Sequence, residues 1–192
     1  DCNGDGIVDY GQILDGTFAD DDGDGQLDIC SDYLNVPGQY PTIAEAITAA
    51  TNGETILIAA GTYTPGQVLD TQGKSITLRG AVASNSIVAT VIDVQDAHRV
   101  LQCTSGEGPE TVFENLVIRN GNAGGGYGGG IRILNSDATI RNCVFENNRA
   151  TNYGGALQIH NDDYVSNTLV TGCTFISNQV FWDNNGAVSG RG

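Results

Sequence analysis

The sequence contains no methionine, only four prolines and no apolar run long enough to span a bilayer. The last absence excludes a membrane-spanning helix, so we expect no membrane insertion. Scarce proline and the lack of a Gly-x-y triplet exclude collagen-like chains, although glycine accounts for 27 of the 192 residues. With 40% hydrophobic and 16% charged residues, the chain is expected to fold around a core and to use glycine in turns.

Basic residues are scarce and unevenly placed. No Lys or Arg precedes Lys74, whereas more than half of the 23 acidic residues lie before it. The formal net charge is -15 at pH 7. A chain this acidic repels phosphate backbones and attracts cations, so we expect no nucleic-acid partner.

The first thirty residues contain two copies of a calcium-loop pattern, DCNGDGIVD from residue 1 and DDDGDGQLD from residue 20. Calcium takes six to eight oxygen ligands, and alternate positions of a tight loop point oxygens inward around a glycine turn. A solvated acidic tail is the alternative, but it would not repeat the glycine position. The predicted Ca2+ ligands are Asp1, Asn3, Asp5, the Ile7 carbonyl, Asp9, Asp20, Asp22, Asp24, the Gln26 carbonyl and Asp28.

These loops resemble the calcium loops of dockerins and thrombospondin type 3 repeats, and related repeats of exported bacterial surface proteins. The resemblance covers residues 1–32 and implies an acidic ligand at loop position 12, where Gln12 and Ser31 stand instead. We therefore expect weak, extracellular-type affinity, roughly 0.1 to 1 mM. A disulfide between Cys2 and Cys30 would stabilise this segment, which is too small for its own core; two free thiols are the alternative.

Residues 41–53 predict one short helix over about residues 42–52, with Thr42 as N-cap, Glu45 completing a capping box and Gly53 ending it. One apolar stripe runs along it: Ile43, Ala46, Ile47 and Ala50. The string PTIAEAITAATNGETILIAAGTYTPG resembles the N-terminal region of pectin-lyase-like β-helix proteins. That resemblance implies a helix covering the open end of a β-helix, and it implies nothing about activity.

Short β-rich runs with turn residues between them follow Lys74. NLVIRNG, NCVFENN and GCTFISN superimpose from residues 115, 142 and 172, and GGGI, GGAL and NGAV from residues 128, 154 and 185. A helix-free repeat of about 30 residues is typical of a parallel β-solenoid with stacked coils. The predicted inward ladders are Leu116, Cys143 and Cys173, then Ile118, Phe145 and Phe175, while Asn147, Asn148 and Asn178 are predicted to occupy turns that bond neighbouring coils.

The paired GGA-[ILV] and FxxN motifs resemble the repeats of polymorphic outer-membrane proteins and related bacterial β-helix adhesins. The resemblance covers roughly residues 112–190, with Gly130 replacing the alanine in the first copy. It implies a surface-exposed protein. Cysteine usage, the missing methionine and the start at Asp1 also favour a processed or excerpted, secreted protein.

Catalytic signatures are sparse. The strongest constellation is His160-Asn161-Asp162-Asp163, for which a solvated turn is the favoured interpretation over catalysis. Arg119, Arg132 and Arg141 are candidates to line one surface and bind an acidic glycan. Cys143 and Cys173 are expected as neighbouring buried thiols, with a disulfide as the less favoured alternative, and Cys103 is expected either to be buried or to bridge chains.

Together these patterns predict an all-β protein: a right-handed parallel β-helix (solenoid) over residues 33–192, with a short N-terminal capping α-helix and a small calcium-loop segment over residues 1–32. We expect a secreted or cell-surface structural protein, stabilised by Ca2+ and not an enzyme. Its expected partner is itself, through head-to-tail stacking of β-helix ends. The alternatives are a carbohydrate-binding or polysaccharide-degrading β-helix with glycan partners, and an adhesin module of a larger surface protein.

Overall fold

The computed structural model describes residues 33–83, 87–162, 165–181 and 189–191. Within them the chain is mostly β, as predicted, and the predicted calcium-loop segment 1–32 lies outside them. The elements are β1 (Tyr33–Val36), α1 (Ile43–Ala49), β2 (Thr55–Ile58), β3 (Gly61–Tyr63), β4 (Leu69–Asp70), β5 (Thr77–Gly80), β6 (Thr90–Asp93), β7 (Leu101–Cys103), β8 (Val112–Glu114), β9 (Leu116–Arg119), β10 (Ile131–Leu134), β11 (Thr139–Arg141), β12 (Val144–Glu146), β13 (Arg149–Ala150), β14 (Leu157–His160), β15 (Leu169–Thr171), β16 (Thr174–Ile176), β17 (Gln179–Phe181) and β18 (Ser189–Arg191).

Parallel pairing joins most of these strands into three sheets. The first sheet contains β1, β2, β5, β8, β11 and β15, the second β3, β6, β9, β12 and β16, and the third β4, β7, β10 and β14. From β2 to β14 the chain adds strands to the first, second and third sheets in the same order each time, and we call each such passage a repeat. A small fourth sheet joins β13, β17 and β18, and its β17–β18 pair is antiparallel.

Strand register matches the alignment of the sequence with itself. Val117 pairs with Val144, which pairs with Thr174, as the superposition of NLVIRNG, NCVFENN and GCTFISN predicts. Ile131 pairs with Leu157, as the GGGI and GGAL copies predict. The predicted register is therefore confirmed over these strands, while the NGAV copy lies outside the described residues.

The inward side chains of the three sheets share one apolar core. The members of the two predicted ladders that are fully buried are Leu116, Cys143, Ile118 and Phe145. In the following repeat the Phe175 ring stacks on Phe145 with 4.9 Å between centroids, yet 43% of Phe175 is exposed. The ladder alignment is thus confirmed, and burial weakens at the last described strands.

The turns on either side of the second sheet repeat a left-handed backbone conformation. Asparagine and glycine tolerate this region best, so the stack explains why asparagine recurs at these positions. The residues are Asn115, Asn142 and Gly172 before the strands and Asn120, Asn147 and Ser177 after them, with φ between 53° and 62°.

Two buried asparagines connect the repeats through their amides. Nδ2 of Asn148 donates to the Ile118 carbonyl and Nδ2 of Asn178 to the Phe145 carbonyl, both at 2.9 Å. Gly121 occupies the equivalent position one repeat earlier, and its N–H donates to Oδ1 of Asn148 at 2.8 Å. The predicted bonding between turns is therefore confirmed for Asn148 and Asn178, and it gives the Gly121 N–H, in the turn after β9, a hydrogen-bond acceptor.

The two glycines that begin each of the GGGI and GGAL copies are required for different reasons. Gly128 and Gly154 have φ of +64° and +67°, which a side chain rarely adopts. A Cβ at Gly129 or Gly155 would lie 2.2 Å from a backbone oxygen of the next repeat. The first glycine is thus required by conformation and the second by close approach.

Helix α1 is shorter than the predicted range 42–52. Thr42 caps it as predicted and accepts from the Glu45 N–H at 3.2 Å, but Ala50 already has an extended ψ of 146°. The chain leaves the helix because Asn52 Oδ1 accepts from the Ser75 N–H and Gly53 N–H donates to the Ser75 carbonyl, at 2.9 and 2.7 Å.

The apolar stripe of α1 is buried as predicted, and the helix contacts β1, β2 and β4. Nζ of Lys74 donates to the carbonyls of Ile47 and Thr48 at 2.7 and 2.9 Å, which places a positive charge at the negative end of the helix. Strand β1, which precedes the helix, was not predicted. No helix of the described residues has the length and hydropathy to cross a membrane.

We predict that Asn148→Ala lowers the free energy of unfolding by about 2 to 3 kcal/mol, because it removes the acceptor of the buried Gly121 N–H and the amide hydrogen bond to the Ile118 carbonyl. Urea denaturation followed by circular dichroism measures the change. Asn167→Ala, at an exposed asparagine, is the control and should stay within about 0.5 kcal/mol. Equal losses for both variants would contradict a stabilising role for the buried amides.

Candidate functional site

The predicted calcium ligands, from Asp1 to Asp28, lie outside the described residues. Calcium binding there stays a prediction from spacing and residue chemistry. Within residues 33–83, 87–162, 165–181 and 189–191, no group of three or more His, Cys, Asp or Glu side chains is placed to hold a metal ion.

The three arginines predicted to line one surface lie on three different sheets. Arg119 is on β9 of the second sheet, Arg132 on β10 of the third and Arg141 on β11 of the first. The prediction of a shared surface is wrong because consecutive strands of one repeat belong to different sheets. Alternation within a strand shows which side chains point outward, but it does not show which sheet carries them.

Arg79 and Arg141 bond one carboxylate from either side. Arg79, Glu114 and Arg141 are in register on neighbouring strands of the first sheet, and Nε of each arginine donates to Glu114. Burial alone would raise the pKa of Glu114, but the hydrogen bonds from Arg141 and Arg79 outweigh it and lower that pKa. This triad stabilises the stack of repeats.

Two further ion pairs connect repeats: the first joins neighbouring repeats, and the second joins repeats that are two apart. Arg119 lies 2.9 Å from Oδ2 of Asp93, whose Oδ1 accepts from Nδ2 of Asn120 at 2.9 Å. Arg149 pairs with Asp96 at 3.2 Å, where both side chains are about half exposed. Arg119 and Arg149 are therefore each paired with an aspartate of the same chain.

The outward face of the third sheet carries a row of polar side chains. We call it the polar row: Asp70, Gln102, Arg132 and Gln158, in register on β4, β7, β10 and β14. Gln102 is fixed, since its Nε2 donates to Asp70 at 2.6 Å and its Oε1 accepts from Arg99 at 3.0 Å. Nε of Arg132 and Oε1 of Gln158 are buried atoms with no hydrogen-bond partner in the described part of the chain.

Two guanidiniums on this face, Arg99 and Arg132, have no carboxylate within ion-pair distance among the described residues. Arg99 instead donates to the carbonyls of Gly128 and Tyr127 at 2.7 and 2.6 Å. Its pKa is lowered, first by burial and then by the charge of Arg132. Two like charges thus lie close together in a strongly acidic protein.

A pair of tyrosines flanks the polar row. Tyr127 and Tyr153 stack at 5.9 Å between centroids with 12° between planes, and they are 37% and 56% exposed. Cζ of Arg132 lies 5.7 Å from the centre of the Tyr127 ring, a distance at which a cation–π contact forms. The face therefore combines exposed aromatic surface with positive charge.

The predicted His160 cluster lies at the end of β14 on the same sheet. Nε2 of His160 is 2.9 Å from Oδ1 of Asp162, whose Oδ2 accepts from Nδ2 of Asn135 at 2.9 Å. The hydrogen bond from Asn135, followed by that from His160, lowers the pKa of Asp162. Both His160 and Asp162 are more than half exposed, and Asp163 lies outside the described residues. The contact favours the interpretation of a solvated turn.

Glu107 is the polar group that sequence reasoning missed. It is 3% exposed and accepts from the hydroxyls of Thr71 and Ser136 at 2.6 and 2.8 Å, and from the N–H groups of Gly73 and Ser105 at 2.9 and 2.8 Å. Burial acts to raise the pKa of Glu107, but these hydrogen bonds outweigh it and lower the pKa. Its context, TSGEGPE, is that of an exposed polar loop, and no local signal marks its burial.

No known family model, curated protein or solved structure matches this chain.

We predict that Glu107→Gln lowers the free energy of unfolding by about 2 to 3 kcal/mol at neutral pH, because the new amide N–H₂ faces hydrogen-bond donors. Since the pKa of Glu107 is lowered by folding, its stabilisation is present above the unfolded pKa of about 4.3 and is lost as pH falls below it. The variant should therefore show a shallower loss of stability in acid.

Thermal unfolding monitored by circular dichroism between pH 7 and pH 3 tests this expectation. Glu110→Gln, at an exposed carboxylate three residues away, is the matched control and should follow the original chain. Parallel acid profiles for the Glu107 variant and the original chain would contradict the role of the buried carboxylate.

Proposed function

We propose that the described repeats are successive turns of a right-handed parallel β-helix. The observation that supports this proposal is the order of pairing: β2, β3 and β4 are followed by β5, β6 and β7, and each new strand pairs in parallel with its counterpart in the preceding repeat. The right-handed sense follows from the strong preference of parallel crossover connections.

We further propose that the protein is an extracellular structural β-helix and not an enzyme. Buried carboxylates support this role, because Glu107 and Glu114 accept hydrogen bonds from side chains of neighbouring repeats. The His160–Asp162 pair is exposed and tied to Asn135 of the preceding repeat. Ionic side chains in the described residues thus support stacking better than proton transfer.

Calcium stabilisation and self-assembly belong to this proposal. The two loops of residues 1–32 supply oxygen ligands at alternate positions, which is the chemistry that calcium prefers. A second copy of the chain is the proposed partner, stacking end to end. The exposed apolar side chains of β15 and β16, Leu169, Phe175 and Ile176, offer surface for such a contact.

We predict that isothermal titration detects calcium binding with a Kd of roughly 0.1 to 1 mM, and that Asp5→Asn combined with Asp24→Asn weakens it by removing one carboxylate from each loop. Asp96→Asn, at an exposed acid outside the loops, should leave binding unchanged.

Electron microscopy of the same samples should show filaments with calcium and shorter particles with a chelator. Dispersed monomers in both conditions would rule out self-assembly.

We propose glycan binding by the outward face of the third sheet as a second function. Three features of that face favour it: the amides of the polar row, the two guanidiniums without carboxylate partners and the exposed tyrosine pair. Amides and guanidiniums bind hydroxyl and carboxylate oxygens, and aromatic rings cover the apolar parts of a ligand. An acidic glycan fits this combination.

We predict that Arg132→Ala weakens binding of an acidic oligosaccharide at least tenfold, roughly the effect of removing an interfacial arginine at the centre of a contact. Binding is measured by screening a glycan array and titrating the best ligand. Arg149→Ala removes the same charge from an exposed ion pair on another sheet and should change affinity less than about twofold. Equal losses for both variants would show a general charge effect and not a site on the third sheet.

A further inference from the structure

Cys143 and Cys173 occupy the same position in consecutive repeats, between the first and second sheets. Ile140 pairs with Val170 and Val144 with Thr174, so the residues between these pairs also face each other. The Thr174 N–H donates to the Cys143 carbonyl at 2.9 Å, which holds the two backbones together at this point. Both cysteines are free thiols.

The spacing of the two cysteines is close to that of a disulfide. Neighbouring parallel strands lie about 4.8 Å apart, and disulfides join residues whose Cα atoms are about 4.4 to 6.8 Å and whose Cβ atoms are about 3.5 to 4.5 Å apart. Both cysteines lie against the core, and their thiols point the same way: Sγ of Cys143 donates to the Phe113 carbonyl at 3.5 Å and Sγ of Cys173 to the Ile140 carbonyl at 3.7 Å. A disulfide therefore requires a change of side-chain torsions and a small approach of the two Cβ atoms.

We propose that Cys143 and Cys173 form a reversible disulfide between consecutive repeats when the protein meets a small-molecule disulfide. The bond covalently links the segment between β11 and β12 to the segment between β15 and β16. This role is independent of calcium binding and of the glycan face, so its test does not depend on either.

The chemistry is two successive thiol–disulfide exchanges. The Cys173 thiolate attacks one sulfur of the external disulfide, forms a mixed disulfide and releases one small-molecule thiolate. The Cys143 thiol then attacks Sγ of Cys173 and breaks its bond to the small-molecule sulfur, and the proton of Cys143 leaves on the departing small-molecule thiol. The external disulfide is reduced to two thiols, while the two cysteines are oxidised to one disulfide.

Accessibility and acidity assign the order of these steps. Cys143 is fully buried, whereas Cys173 is partly exposed. The hydrogen bond between them raises the pKa of Cys143 and lowers that of Cys173, so Cys173 is the thiol that ionises first. Thiolate character and access are what make a cysteine reactive.

Cys103 provides an internal control within the same chain. It is fully buried, and burial raises the pKa of its thiol above the ordinary value. Cys103 lies on β7 of the third sheet. The described polar contact to its sulfur comes from the hydroxyl of Thr71, just after β4, at 3.4 Å. It should therefore resist the exchange that joins Cys143 and Cys173.

The test incubates the full chain with oxidised glutathione, blocks the free thiols of the denatured chain with N-ethylmaleimide at slightly acidic pH and maps tryptic peptides without reduction. Trypsin separates residues 142–149, which contain Cys143, from residues 150–191, which contain Cys173, and leaves Cys2 and Cys30 together in residues 1–74. The expected product joins 142–149 to 150–191 and separates on reduction. The oxidised chain should also melt at a higher temperature than the reduced chain.

Matched variants make the outcome decisive. Cys143→Ser should stop the reaction at glutathione attached to Cys173, and Cys103→Ser should cross-link as the original chain does. Glutathione retained on Cys173 of the original chain, or both thiols recovered as N-ethylmaleimide adducts, would overturn the proposal. An unchanged circular dichroism spectrum of each variant confirms that loss of the cross-link is not loss of fold.

Discussion

In-register parallel pairing places each residue of a repeat about 4.8 Å from its counterpart in the next, and the rest of the structure depends on this spacing. Apolar residues benefit, since Phe145 and Phe175 stack with 4.9 Å between ring centres. Charges of one sign cannot stack in this way without repulsion. The first sheet avoids that cost by placing Glu114 between Arg79 and Arg141, so that opposite charges alternate along the stack.

The turns have to keep the same spacing, which restricts them more than the strands. A left-handed residue in one repeat requires a left-handed residue in the next, and asparagine or glycine meets this requirement with least strain. Turns also leave backbone N–H groups outside the sheet ladders. Asn148 and Asn178 accept from such groups, at Gly121 and Asn148, and donate to strand carbonyls, so each asparagine acts in the repeat before its own. Conformation and hydrogen bonding therefore favour the same residue type.

The sequence predicted the repeats and their register because stacking turns a three-dimensional contact into a fixed sequence offset. The N-cap of α1 was also predictable, since Thr42 acts on an N–H three residues away. Features that join distant turns were not predictable. Glu107 takes hydrogen bonds from three separate turns, and α1 ends early because Ser75 binds the residues after it. The prediction that three arginines share one surface was wrong, because the sequence does not show which sheet each strand joins.

Where stacking uses a charge, that charge is not available for ligands, and this separates the third sheet from the other two. Four of the described arginines bond carboxylates of other repeats, whereas Arg99 and Arg132 lie close together without a carboxylate. Carbonyl oxygens of Tyr127 and Gly128 and the Tyr127 ring stabilise this pair only in part, since neither carries a full negative charge. An anionic group at this face would relieve the repulsion, whereas Arg79 and Arg141 already share the carboxylate of Glu114 between them. Among the guanidiniums whose contacts the structure describes, Arg99 and Arg132 are therefore the two that stacking leaves without a carboxylate.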